Sequence, residues 1–352
     1  MAFKVAKTKE ECFEQLKGLI VAFNNEYVIY KTPKYTEAQL RIDFLNPLLK
    51  TFGWDVDNES RKSQFLRDVL QEESIDVKEE DSITKKKPDY TLNIHGTKKV
   101  FVEAKQVSVN IVKAKEPAFQ VRRYGWNANL GISILTNFES IIVYDCRYKP
   151  DSNDDASIAR FHSFHVSEFL EKFDELYNLL SYQSISKGFI DEFFAVSKPD
   201  TTKFDDYFLQ QIESWRQILA NEVITNNEGF NNEDINFLIQ RLLNRIVFLR
   251  ICEDREIEKF ETLKNITSYD DLKKLFIESD KKYNSGLFDF IEDNFSLNIN
   301  LHSDTLIGIF NELYYPQSPY NFSVVDPAIL SQIYERYLGS RIEIDANKQI
   351  SI

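Results

Sequence analysis

An α/β domain with a mixed sheet flanked by helices, followed by an all-α domain, is the fold class that the 352-residue sequence predicts, and three observations predict it. Up to about Cys146, helical patterns alternate with short runs rich in β-branched and aromatic residues. After about Ser167, the apolar residues recur almost everywhere at spacings of three and four. Between the third and fourth strand candidates lies one helix-length segment, Pro117 to about Leu130, which suits a strand–helix–strand crossover. The expected domains are residues 1–166 and 167–352.

The first helix is expected over Glu10–Phe23. A second starts at Thr36, whose hydroxyl can cap it, and places Leu40, Phe44, Leu45, Leu48 and Leu49 on one face until Gly53 and Trp54 end it. Strands are expected at Phe65–Val77, Tyr90–His95, Lys99–Ala104, Ile132–Leu135 and Ser140–Asp145, with His95-Gly96-Thr97 as a hairpin turn. Two later stripes are core-facing helices: Phe204, Phe208, Ile212, Trp215, Leu219 and Val223, then Ile235, Leu238, Leu242, Ile246 and Leu249. Asn- and Asp-rich stretches at Asp151–Asp155 and Asn226–Asn232 are loops. The Pro-rich Tyr315–Pro327 breaks the chain before a last helix at Ala328–Leu338.

Composition excludes several classes. With 43% apolar residues and only 10 Gly and 9 Pro, the chain is neither disordered nor collagenous. Its longest apolar runs fall far short of a membrane span, and charges interrupt the N-terminus, so a cytoplasmic protein without a membrane partner is expected. Cys12, Cys146 and Cys252 are odd in number and far apart, which supports reduced, buried thiols rather than disulfides or a zinc knuckle. His95, His162, His165 and His302 lack zinc-site spacing, and Trp54, Trp126 and Trp215 sit in core patterns. The net charge of −13 opposes a polyanionic partner, yet residues 84–126 hold ten Lys and Arg against three acids.

The acids inside that basic stretch carry the chemistry. Asp89 opens one strand after Lys87-Pro88, and Glu103 and Lys105, two apart, share a face at the end of the next, since side chains alternate along a strand. Two carboxylates with a backbone carbonyl between them are hard donors suited to Mg²⁺, and the ammonium can orient or deprotonate a water. This is apparatus for phosphodiester hydrolysis. Gln120 and Tyr124 follow one turn apart on the next helix, beside Arg122 and Arg123.

Thr36-Glu37-Ala38, Pro47 to Trp54, Lys87-Pro88-Asp89-Tyr90, Val102-Glu103-Ala104-Lys105, Gln120 to Tyr124 and Leu135-Thr136-Asn137, in this order, resemble the PD-(D/E)xK nuclease domain of restriction enzymes. A type I motor subunit would continue into a helicase, but no GxxxxGK loop for ATP occurs. Ile239 to Arg255, Asp326 to Leu330 and Ile333 to Gly339 instead resemble the helical connector of type IIG restriction-modification enzymes. That resemblance implies a Mg²⁺-dependent endonuclease module acting on double-stranded DNA, with a methyltransferase and a target-recognition domain as its missing partners. With no GxG and no NPPY-type motif, no site for S-adenosylmethionine is expected here. A non-catalytic DNA-binding or assembly module that kept the fold, or the nuclease domain of a type I-like restriction subunit, is the alternative.

Residue by residue, the resemblance implies that Asp89 and Glu103 are metal ligands, that Ala104 offers its carbonyl, and that Lys105 positions the nucleophilic water. Gln120 and Tyr124 would support the site and Glu37 would help to hold a metal. Lys85, Lys86, Arg122 and Arg123 are candidate contacts to the DNA backbone, which position without reading sequence.

Overall fold

A computed structural model describes residues 4–71, 87–194 and 203–351, apart from 284, 292, 294, 315–316, 339–340 and 345–349. The chain forms two compact units, residues 1–203 and 204–352. The first is built on a six-stranded mixed sheet in simple sequence order: β1 (Val69–Gln71), β2 (Tyr90–Ile94), β3 (Thr97–Ala104), β4 (Ile132–Thr136), β5 (Ser140–Asp145) and β6 (Arg160–His165). All neighbours are antiparallel except β3 and β4, which run parallel because a helix joins them. The strand expected at Phe65–Val77 is observed as β1 alone. Gln64–Leu66 is a 3-10 turn, and 72–77 lie outside the described residues. The sixth strand was not read from the sequence, since Arg160–His165 alternates poorly and its side chains are mostly solvent-facing.

Helix α1 (Lys9–Asn25) is capped by Thr8 and buries Cys12, Leu16, Leu19 and Phe23. A single turn, α2 (Tyr27–Tyr30), follows. The helix expected from Thr36 forms in three pieces, α3 (Glu37–Leu40), a π-helical turn at Arg41–Leu45 and α4 (Asn46–Thr51). Thr36 and Gln39 make a capping box at its start. Pro47 supplies the reason for the break: it has no N–H to donate and its ring crowds the carbonyl four residues back, so the preceding turn widens and Asn46 N–H reaches Arg41 O instead. Leu40, Phe44, Leu45, Leu48 and Leu49 are all buried against the sheet, as their spacing predicts.

Helix α5 (Lys115–Asn127) is the β3–β4 crossover and lies on the opposite side of the sheet sequence, with Ala118 and Val121 in a second apolar cluster with Leu135, Ile142 and Tyr144. Gly125 allows this closeness. A Cβ there would sit 2.3 Å from Cys146 Sγ and 2.4 Å from Ser133 Oγ, so Gly125→Ala is expected to cost about 1–3 kcal/mol as the helix is pushed off the sheet. The denaturation midpoint of the variant measures this.

The expected domain boundary at residue 166 falls later. Helices α6 (Phe173–Leu180), α7 (Tyr182–Ser186) and α8 (Phe189–Phe194) belong to the first unit, because Phe169, Phe173, Leu176, Leu180 and Ile185 share the core of α1 and α4. Trp54 fixes them through Nε1, which donates to Leu180 O at 2.7 Å. The second unit is helical, with α9 (Phe204–Asn226), α10 (Asn232–Asp254), α11 (Tyr269–Tyr283), α12 (Ser303–Asn311) and α13 (Pro327–Leu338). Among the described residues it departs from all-α in a two-stranded pair, β7 (Glu343–Ile344) with β8 (Ile350–Ser351). No described helix is long and apolar enough to cross a membrane. The three cysteines are free and buried, and burial pushes the thiols of Cys12 and Cys146 up to about 12.

Candidate nuclease site

Register brings the candidate residues together. Tyr90 of β2 pairs with Val102 of β3, so Asp89, just before β2, meets the end of β3. There the backbone N–H of Ala104 donates to Asp89 Oδ2 at 2.7 Å. Glu103 precedes Ala104 on the same strand, and Lys105 Nζ donates to Glu103 Oε1 at 2.6 Å. Lys105 leaves the strand but stays tethered to it, because its own N–H donates to Thr136 O at 3.0 Å.

Burial gives these contacts their weight. Asp89 is 2% and Glu103 0% exposed, and a carboxylate at such a position is costly unless charge and hydrogen bonds compensate it. Each has a cation beside it. Lys105 serves Glu103, and Arg41, from the π-helical turn, reaches Asp89 Oδ1 at 3.4 Å. Arg41 also lies over the Tyr90 ring, 4.8 Å from its centroid. Burial works against the Arg41 charge, but Tyr90, Asp89 and Glu37 outweigh it and hold the guanidinium above its ordinary range. Burial likewise pushes the Tyr90 phenol up to about 12, so it stays protonated and donates to Asn46 Oδ1 at 2.8 Å.

Arg41 was missed by sequence reasoning. The signal was present, since it lies four residues after Glu37 on a capped helix and so on the same face. Glu37 itself is half-buried in the first turn of α3, near enough to act electrostatically on Arg41 and Tyr90. It does not join Asp89 and Glu103 in a cluster of three acids, for no group of three or more His, Cys, Asp or Glu side chains suited to a metal occurs among the described residues.

The turn after β4 stabilises the same end of the sheet. Thr136 Oγ1 donates to Ser140 O and accepts from Phe138 N, while Asn137 Oδ1 accepts from Ser140 N. The amide of Asn137 also donates to Val109 O at 3.0 Å, which secures the loop that follows Lys105. The Leu135-Thr136-Asn137 motif therefore builds the support of Lys105 rather than reacting groups.

Gln120 and Tyr124 meet on α5, where Gln120 Nε2 donates to Tyr124 Oη at 3.0 Å and Tyr124 is buried. Arg122 corrects an expectation. It is 1% exposed and pairs with Asp154 at 2.8 Å, because its helical position turns it into the sheet-facing side of α5, where it cannot meet a DNA phosphate. Arg123, on the neighbouring face, is half-buried. Lys85 and Lys86 lie outside the described residues.

As chemistry, the site offers two buried carboxylates at one strand end, hard oxygen donors of the kind Mg²⁺ takes, with an ammonium beside one of them. These residues fit a divalent cation. Asp89 and Glu103, with the carbonyl of Ala104 next to Glu103 on β3, are the groups that could hold it.

Residues 34–152 match the family model described as type I restriction enzyme R protein N terminus, a stretch that spans the capped helix through the end of the β5 turn. The chain is 40% identical over 346 residues to the type II restriction enzyme and methyltransferase RM.Eco57I of Escherichia coli. That alignment covers 96% of this chain and 34% of the relative, so the chain spans about a third of the curated relative's length. No solved structure matches. Residues 34–152 thus resemble the N-terminal domain of type I restriction R proteins, within a chain similar over 96% of its length to the N-terminal third of a restriction enzyme and methyltransferase fusion.

Proposed function

We propose that the chain is the Mg²⁺-dependent endonuclease module of a type IIG restriction-modification enzyme and hydrolyses phosphodiester bonds in double-stranded DNA. One observation carries the reading: Asp89, Glu103 and Lys105 converge at the end of β3, with Glu103 fully buried and Lys105 Nζ 2.6 Å from its Oε1. A fold kept for assembly alone has no need of two buried carboxylates at a strand end, each of which costs several kcal/mol to desolvate (roughly, by continuum reasoning).

Asp89, Glu103 and the Ala104 carbonyl would hold the cation, which when bound stabilises charge building on the phosphate and makes a nearby water more acidic. The remaining roles belong to side chains. Ala104 N–H fixes the Asp89 carboxylate through Oδ2, while Oδ1 faces Arg41. Lys105 Nζ, hydrogen-bonded to Glu103 Oε1, would position the attacking water. Gln120 and Tyr124, bonded to each other on α5, would support the site, and Glu37 acts electrostatically on Arg41. Arg123, Lys85 and Lys86 are the remaining candidates for DNA backbone contacts. The methyltransferase and target-recognition domains of a longer enzyme would be its partners.

Supercoiled plasmid incubated with the purified chain tests this reading. Nicking with Mg²⁺ and none with EDTA is expected, and equal nicking in both, or none with Mg²⁺ at any protein concentration, would count against it. Binding to duplex DNA should be weak, indifferent to sequence and steep in salt, since phosphate contacts release counterions while the net charge of −13 opposes approach. Filter binding across a salt series measures this, and a sequence-selective or salt-insensitive complex would contradict it.

A further inference from the structure

Asp89 is held from two sides. Ala104 N–H binds Oδ2 from the neighbouring strand, while Arg41 approaches from the π-helical turn, with Nη1 3.4 Å from Asp89 Oδ1, Nη2 3.4 Å from the Asp89 carbonyl oxygen and Nε 3.4 Å from Tyr90 Oη. The guanidinium also covers the Tyr90 ring. One side chain therefore clasps the carboxylate, the backbone and the next residue, and it is itself only 12% exposed. A planar guanidinium can do this and an ammonium cannot, because several fixed N–H groups are needed at once. The widened turn forced by Pro47 is what carries Arg41 at this place in the helix.

We infer that Arg41 is the internal counter-charge of Asp89, against which a divalent cation must compete. The inference rests on the nuclease reading above. Asp89 and Glu103 are balanced by Arg41 and Lys105 at the strand end. A dication arriving there finds its ligands already neutralised, and the excess positive charge it brings is relieved when an anionic phosphate enters. Cation binding and DNA binding are then favourably coupled, and by linkage each strengthens the other by the same factor. Removing the Arg41 charge should loosen this dependence: the cation binds more tightly alone and gains less from DNA.

Calorimetric titration of Ca²⁺ into the 352-residue chain, with and without a short DNA duplex, tests the inference without any turnover. Wild type should bind Ca²⁺ more tightly when duplex is present. Arg41→Met should bind Ca²⁺ about tenfold more tightly than wild type without DNA, the order expected on removing one like charge from beside a dication's ligand. Arg41→Lys, which keeps the charge and loses the fork, should stay close to wild type in DNA-free affinity. A side chain that mattered only for folding would weaken Ca²⁺ binding in every variant. Should Arg41→Met fail to fold, Arg41→Gln, neutral and still able to donate to the Asp89 carbonyl, carries the same comparison. Ca²⁺ affinity in the folded neutral variant that equals or falls below wild type overturns the inference. Wild-type binding abolished by Asp89→Asn, together with an unchanged neutral variant, would sink this inference alone, whereas wild type that binds no Ca²⁺ with or without duplex would sink the nuclease reading beneath it.

Discussion

Asp89→Ala and Glu103→Ala are each expected to lower Mg²⁺-dependent DNA cleavage by about a thousandfold or more, the scale on which losing an oriented charge at a reacting phosphate is felt. The two variants should differ in stability. Asp89→Ala frees Ala104 N–H and leaves Arg41 near Tyr90 without its carboxylate, while Glu103→Ala leaves Lys105 beside an apolar strand end. Both losses concern a buried partner, so melting curves must accompany the rates. Lys105→Ala separates the roles: it should lose cleavage yet still bind a divalent cation, because it is not itself an oxygen donor. Near-normal cutting by either carboxylate variant, with the fold intact, would remove the proposed assignment.

The largest effect on stability is expected in the second unit. Arg245 and Asp293 are both fully buried and 2.6 Å apart, with Arg245 Nε donating to Leu287 O and Nη1 also donating to Ser296 Oγ. The guanidinium lies against the rings of Phe276, Phe288 and Phe290, the nearest centroid at 4.6 Å. Burial lowers the tendency of Arg245 to hold its proton, and Asp293 works against that. Asp293→Ala leaves a charged guanidinium in an apolar setting and also removes the acceptor of Phe295 N and Ser296 N, so a loss of about 3–5 kcal/mol is expected. Arg245→Met combined with Asp293→Leu should cost less than Asp293→Ala alone, since no isolated charge remains. Urea unfolding of the three proteins measures both statements, and a double variant worse than the single one would contradict the account of the pair.

Much of this was legible in the sequence for specific reasons. The runs rich in β-branched and aromatic residues at Tyr90–His95 and Lys99–Ala104, with His95-Gly96 between them, specify a hairpin, and that hairpin brings Asp89 to Glu103. The apolar face from Leu40 to Leu49 gave the helix beneath the sheet, although the local break at Pro47 and its π turn were not drawn. Arg122 illustrates the limit. A string of basic residues looks like a solvated surface, but which of two neighbouring arginines faces the sheet depends on the rotation of α5, fixed by contacts of Ala118, Val121 and Gly125 rather than by charge. Arg41 depends on a tertiary contact in the same way, for nothing in its own segment says that the opposite strand will present Asp89. The later boundary has a similar cause: α6 to α8 carry helical periodicity like the second unit, but their apolar faces complete the first core.

The central claim is that Asp89 and Glu103 hold one divalent cation at the end of β3. Crystals of the chain grown with Mn²⁺ and measured at the manganese absorption edge test it most directly. An anomalous peak between the Asp89 and Glu103 carboxylates, absent from crystals of the Glu103→Ala variant, is the result predicted. A well-ordered wild-type site in which both carboxylates keep Arg41 and Lys105 as their partners at saturating Mn²⁺, with no anomalous peak there, would contradict it.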